Sequence, residues 1–263
     1  MKKHKLALLG GGYLNSIVAR AVRDGLLPEY ELVGVFGRQS ARTEAFAQEF
    51  GCKLCHTIEE LMAEKPDYTV EAASGDALRY YAETVVAAGS NLIVISMGAF
   101  ADTELYERVK EIARANNCKV YIPSGAVGGF DVLRTAALMS PIKVSMTSLR
   151  SAASLYYSPF NFDGILDITE PTRVFNGSTK DAIKLLPHGV NVSVATALAS
   201  AGPEDTEIDI IAMPEGFHGD EFQIRLQGEE VATDLRIYSR NCNIAGWSLV
   251  ATLQNIASPV EFF

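Results

Sequence analysis

Along the first 120 or so residues, short apolar runs alternate with segments whose apolar residues recur at helical spacing. Lys5–Leu9 reads as an apolar strand, and glycines separate it from a helix over Tyr13 to Gly25. Glu31–Phe36 predicts a second strand, Ala41–Phe50 a helix stopped by Gly51, and Lys53–Leu54 a short third strand. Thr57-Ile58-Glu59-Glu60 has capping-box form and starts a helix to about Ala63. The rhythm repeats: strand Tyr68–Glu71, helix Gly75–Ala88 closed by Gly89, strand Asn91–Ser96, helix from Asp102 to Asn116, strand Lys119–Ile122. Strict alternation of strand and helix predicts a parallel sheet covered by helices on both faces.

After Pro123 the pattern changes. Ser124–Ser140 is glycine-rich and then helical, and Ile142–Tyr157 alternates over a long stretch, as an antiparallel strand exposed on one face would. Ser178–Leu186 and Asn191–Ala201 have helical character, while Glu207–Met213, Glu221–Gln227 and Ala232–Tyr238 read as strands. Ala245–Ala257 is a final amphipathic helix. No repeat or linker-like tract interrupts the chain, which places a domain boundary near Pro123 to Val127 without a flexible tether.

Composition narrows the class. With 263 residues, 48% hydrophobic and 21% charged, the chain has the make-up of an ordinary globular protein. A net charge of -9 argues against nucleic acid as a partner, because phosphate binding needs a basic surface. No apolar run approaches the roughly 20 residues of a membrane span. Leu6–Leu9 runs straight into glycines, too short for a signal-peptide core, so a cytoplasmic location is expected. Of the four cysteines, Cys52 and Cys55 form a C-x-x-C. A redox pair would open a helix and a zinc site would need a second ligand pair, so reduced structural thiols and no metal are expected.

Candidate chemistry begins at Gly10-Gly11-Gly12-Tyr13-Leu14-Asn15. A dinucleotide-binding turn requires glycine for the tight bend, glycine where backbone approaches pyrophosphate, and a small residue for close helix packing. Gly10 and Gly12 meet the first two demands, and Asn15 stands in place of the third glycine. The helix then aims free N–H groups near Tyr13 and Leu14 at phosphate. The expected fold class is therefore α/β: an N-terminal Rossmann parallel sheet over residues 1–125, then an α+β domain with a largely antiparallel sheet over 126–242. A C-terminal helix, 243–263, is expected to pack back on the first domain. The second strand ends in Gly37-Arg38-Gln39-Ser40-Ala41-Arg42 rather than in the carboxylate that holds the ribose of NAD. Arg38 and Ser40, with Arg42 in reserve, suit a 2′-phosphate, which points to NADP or to use of both cofactors. Ala73 and Ser74, at the end of the strand from Tyr68, fit two readings: a small-residue floor for the nicotinamide ribose, and a simple turn with Ser74 as helix cap.

Three runs, Glu71-Ala72-Ala73-Ser74, Ile95–Asp102 and Ile122-Pro123-Ser124-Gly125-Ala126-Val127-Gly128-Gly129-Phe130-Asp131, resemble the L-aspartate dehydrogenase family. The likeness continues in Phe175-Asn176-Gly177-Ser178 and in Pro187-His188-Gly189-Val190-Asn191-Val192. It implies NAD(P)-dependent interconversion of L-aspartate with iminoaspartate, or oxaloacetate and ammonia, in an α+β domain that also carries a dimer contact. By the same likeness Ala126 and Asn191 fall where the family contacts the nicotinamide end of the cofactor. The chain departs from the family at the catalytic histidine. Met213-Pro214-Glu215-Gly216-Phe217-His218-Gly219-Asp220-Glu221-Phe222 replaces an Asp-Pro followed by Asn-x-His, and Glu221 or Phe222 stands in the histidine's slot.

His218, on a glycine-flanked loop, is the candidate general base, with Glu221 as alternative if burial raises its pKa. Arg150 is positioned in sequence to pair with a substrate carboxylate. Three readings follow: an amino-acid dehydrogenase; a dehydrogenase of a less polar acid, using aromatics such as Phe217, Phe222, Tyr156, Tyr157 and Trp247; and a dinucleotide-binding protein without turnover. The long Ile142–Tyr157 segment suggests a homodimer built by extending a sheet across a two-fold axis.

Overall fold

The computed structural model describes residues 2–186 and 189–262, so Pro187 and His188 of the Pro187–Val192 run lie outside the described residues. The chain divides into two compact units, Met1–Gly125 with Ala245–Phe263, and Ala126–Ile244.

The first unit runs β1 (His4–Leu9), α1 (Tyr13–Arg23), β2 (Tyr30–Phe36), α2 (Ala41–Phe50), β3 (Lys53–Cys55), α3 (Ile58–Ala63), β4 (Tyr68–Glu71), α4 (Gly75–Ala87), β5 (Asn91–Val94), α5 (Thr103–Ala115) and β6 (Val120–Tyr121). All six strands are parallel, in the order β3-β2-β1-β4-β5-β6. Leu6, Leu8, Val35, Val70, Leu92 and Ile93 are fully buried, as strands covered on both faces require. Ser40, Thr57, Ser74 and Asp102 cap α2 to α5, each side-chain oxygen accepting the N–H three residues on. Strand order reverses between β1 and β4, which opens a crevice at the carboxyl ends of those two strands. The β5 strand stops at Val94 rather than at Ser96, because Ser96 turns to donate its N–H to Glu71 Oε2 and leads into a 3-10 turn over Met97–Ala101.

The second unit contains α6 (Phe130–Met139), β7 (Lys143–Ser151), α7 (Ala152–Leu155), β8 (Thr172–Ser178), α8 (Thr179–Leu185), α9 (Asn191–Leu198), β9 (Thr206–Met213), β10 (Asp220–Gln227) and β11 (Ala232–Ser239). Its sheet has the order β11-β10-β7-β9-β8, antiparallel except for the parallel pair β7–β9. Val144, Met146, Phe222, Ile224 and Leu226 form one face of the sheet and pack with Leu133 and Ala136 of α6 and Val192 of α9.

Two expectations for this unit are corrected. The alternating segment does not continue as a strand to Tyr157: Ser151 caps the short α7 by accepting from Ser154 N–H at 3.2 Å. Because β7 is paired on both sides, by β10 and β9, it cannot extend a sheet into a second copy. Sequence pattern also gave no sign of β8. Its register slips between Arg173 and Phe175, which breaks the two-residue period, and Gly177 contributes no side chain to the pattern.

The last helix, α10 (Asn243–Ala257), is tied to the first unit. The buried Tyr30 donates its hydroxyl to Leu253 O at 2.8 Å, and Gln254 Nε2 donates to Leu26 O at 3.1 Å. Gly246 of α10 faces Ile17 of α1 so closely that a Cβ there would lie 2.4 Å from Ile17 Cδ1. Among the described residues no helix is long and apolar enough to cross a membrane.

Candidate active site

In the first unit the glycine turn sits where β1 gives way to α1. Gly10 donates its N–H to Phe36 O at 2.6 Å and holds φ +108, a conformation that disfavours any side chain. A Cβ on Gly10 would also lie 2.8 Å from Ala72 O, so the turns after β1 and β4 are in backbone contact. Gly12 is the N-cap of α1 and supplies no side-chain cap; the first turn has no acidic residue. The four following helices are all capped by side chains. The positive end of α1 is therefore left open at the crevice, as an anionic group requires. Tyr13 is half exposed and Leu14 partly buried on the same first turn.

Asn15 explains how the turn does without its third glycine. The side chain is fully buried, and Nδ2 donates to Leu9 O at 3.1 Å and to Gly10 O at 2.7 Å, pinning the turn through its own carbonyls. Its Oδ1 is buried with no hydrogen-bond partner among the described residues.

The loop after β2 lies beside this turn: a Cβ on Gly37 would come within 3.2 Å of Gly11 N. Arg38 and Arg42 are exposed and form no ion pair with any described residue, while Thr43 Oγ1 donates to Arg38 O at 2.8 Å and fixes the loop. Ser40 is exposed, with its Oγ engaged as the α2 cap at 3.4 Å from Thr43 N. Across the crevice Ala73 is exposed and Ser74 caps α4, its Oγ accepting from Ala77 N–H at 3.1 Å. An open helix terminus, a turn that excludes side chains and two uncommitted cations fit a dinucleotide pyrophosphate and its adenosine end.

Glu71 was not assigned a role from sequence, yet it organises the crevice wall. This last residue of β4 is fully buried. Oε1 accepts from the N–H groups of Ala73 at 2.8 Å and Ser74 at 3.1 Å, and Oε2 from that of Ser96 at 3.0 Å. Burial pushes its pKa above the ordinary carboxylate value, and the N–H donors pull it back. The available signal was a carboxylate closing an otherwise apolar strand.

In the second unit, Ala126 lies in a turn led by Gly125 at φ +62, and Asn191 is the first residue of α9, with Val190 as N-cap. Arg150 lies near the carboxyl end of β7. Its Nε donates to Ser148 Oγ at 3.0 Å, and Nη2 donates to Gly189 O, just ahead of α9. Desolvation lowers its pKa, and no described carboxylate is within ion-pair distance. Asp220, its cross-strand partner on β10, contributes only a longer-range attraction. His218 sits two residues before Asp220 on the exposed loop between β9 and β10, where its carbonyl accepts from Tyr238 Oη at 2.8 Å. Sheet register thus brings Arg150, Gly189 and the His218 loop to one end of the sheet.

Other candidates fall away. Glu221 is buried, but Arg236 grips both its oxygens at 2.7 and 2.9 Å and holds its carboxyl below the usual range, opposite to the rise a general base needs. Phe222 belongs to the core, and Tyr157 is 93% exposed, so neither lines an aromatic pocket. Burial pushes the Cys52 thiol up to about 11 and raises Cys55 too, which suits structural thiols rather than reactive ones.

Comparison with known proteins agrees with both halves of this description. Residues 9–123 match the homoserine dehydrogenase NAD-binding domain model, and residues 131–256 match the aspartate dehydrogenase C-terminal model. The L-aspartate dehydrogenase of Methanosarcina barkeri is 30% identical over 98% of both chains. That of Methanococcus maripaludis is 32% identical over 80% of this chain and 78% of its own. The crystal structure of aspartate dehydrogenase from Thermotoga maritima shares the fold, with a TM-score of 0.80, 24% identity and 99% of each chain covered. With identity at this level running through both units, the chain belongs to the L-aspartate dehydrogenase family of NAD(P)-dependent oxidoreductases.

Proposed function

We propose that this protein interconverts L-aspartate with oxaloacetate and ammonia, favouring NADP over NAD. The observation that carries the substrate is Arg150: a desolvated guanidinium, held in place by Ser148 and Gly189, without a carboxylate of its own. Such a group is stabilised by a carboxylate from outside, and a dicarboxylate substrate supplies one. A nicotinamide dinucleotide held at the Gly10–Leu14 turn would supply hydride-transfer chemistry for the substrate's α-carbon. His218 takes the role of general base, since its loop opens from the same sheet end as Arg150 and an imidazole nitrogen can accept a proton. Gly216 and Gly219, both at positive φ, shape the turns that carry His218. The adenosine end is read by Arg38, with Arg42 beside it; both are free to meet a 2′-phosphate, and no acidic residue stands at this position to prefer a bare ribose.

We also propose a homodimer. The sheet face opposite the α6 side carries Leu149, Ile211 and Met213, all only partly buried within the unit. Light scattering on the eluting protein is expected to give twice the chain mass of 28.5 kDa.

The substrate assignment is tested by following NADPH oxidation with oxaloacetate plus ammonia, alongside a panel of less polar keto acids. Turnover greatest with oxaloacetate supports it. Turnover only with apolar keto acids, or none with any of them, removes it.

A further inference from the structure

Glu71 is a buried acid that the reaction above does not use. Every group facing its carboxylate oxygens through a backbone contact is an N–H donor, from Ala73 and Ser74 on one side and Ser96 on the other. These N–H donors and the Ser96 hydroxyl all favour the ionised carboxylate, against the burial that disfavours it. No lysine or arginine offsets the charge: among the described residues Glu71 forms no ion pair, and only backbone dipoles and Ser96 compensate it. Position makes this significant. Glu71 is opposite Leu9 in the β1–β4 register and opposite Val94 in the β4–β5 register, so it sits at the carboxyl edge of the strands beside the crevice. The turn that it ties down, Ala72–Ser74, is the same one that meets Gly10.

We propose that Glu71 is a positioning residue that clasps the turns after β4 and β5 together, and that its buried negative charge tilts the crevice toward the oxidised, positively charged nicotinamide. Dipoles make the anion tolerable without cancelling its field, and a fixed charge in a desolvated wall acts over a longer range than one in water. Reduction removes the cofactor's ring charge, so the field stabilises one oxidation state and not the other. This inference rests on the chain's cofactor binding and is independent of which acid it oxidises.

The test is calorimetric titration of the intact protein and of Glu71→Gln with NADP+, NADPH, NAD+ and NADH. Loss of one unit charge acting through the turn is expected to raise the ratio of oxidised to reduced dissociation constants by about tenfold. Glu71→Asp, which keeps the charge while shortening the reach, is expected to weaken both forms together and leave the ratio within about twofold of the parent. A Glu71→Gln ratio unchanged within about twofold, even with both affinities reduced, would mean a purely structural clasp and overturn the proposal. Should Glu71→Gln fail to fold, the parent protein decides the matter. The proposal requires the oxidised form to bind at least as tightly as the reduced one, and a reduced form that binds more tightly contradicts it. Absence of binding by either form would instead strike at the cofactor site itself.

Discussion

At the scale of single residues, Arg150 and His218 carry the proposed chemistry. Arg150 is held by Ser148 and Gly189 with no ion-pair partner among the described residues, so Arg150→Ala is expected to raise KM for oxaloacetate by roughly 10- to 100-fold, the equivalent of a desolvated charged hydrogen bond. A similar rise with pyruvate, which lacks the second carboxylate, would indicate that the guanidinium reads the α-carboxylate instead. His218→Ala is expected to lower kcat by about 100-fold or more. An unaltered kcat would remove the base from that loop. Glu221 behaves differently. Because Arg236 depresses its pKa, its stabilising contribution is present above the unfolded carboxylate pKa and is lost as pH falls through the lower folded value. Glu221→Gln should therefore be less stable than the parent in denaturant melts at neutral pH and equal to it once the carboxylate is protonated.

At the scale of elements, what was legible in the sequence and what was not have separate physical causes. The alternating strands and helices of the first unit are read directly from period and caps: Thr57, Ser74 and Asp102 each mark a helix start that the structure keeps, while Ser40, read as a phosphate contact, caps α2. Gly10 identified the turn because its backbone geometry excludes a side chain, whereas Gly12, at φ -93, leaves room for one. The second unit was harder to read. The strand β7 was found but overextended, because Ser151 starts a helical turn while the apolar pattern runs on. The β8 strand was missed because a register slip erases its alternation. Glu71 and Arg150 acquire their meaning from burial and from distant partners, Ser96 and Gly189, and a linear pattern does not display these. The closing helix α10 is held by close packing rather than by a motif. Gly246→Val, which would drive a branched side chain into Ile17, is expected to cost about 1–3 kcal/mol in urea unfolding. No loss of stability would mean that the α10–α1 approach is looser than described.

At the scale of the whole molecule, the proposed reading gives the cofactor to a parallel sheet with an open helix terminus, and the acid to a mixed sheet whose part-buried Arg150 has no ion-pair partner among the described residues. Similarity to an L-aspartate dehydrogenase of Methanosarcina barkeri runs over 98% of both chains and so spans both units. The account depends first on a dinucleotide held at Gly10–Leu14. The most direct check is titration of the protein and of Gly10→Ala with NADPH, followed by the fluorescence of the reduced nicotinamide. The parent should bind saturably, and the alanine variant, strained at φ +108 and pressed against Ala72 O, should bind about 10- to 100-fold more weakly while remaining folded. Saturable binding that Gly10→Ala leaves untouched, or no binding by the parent, would contradict it.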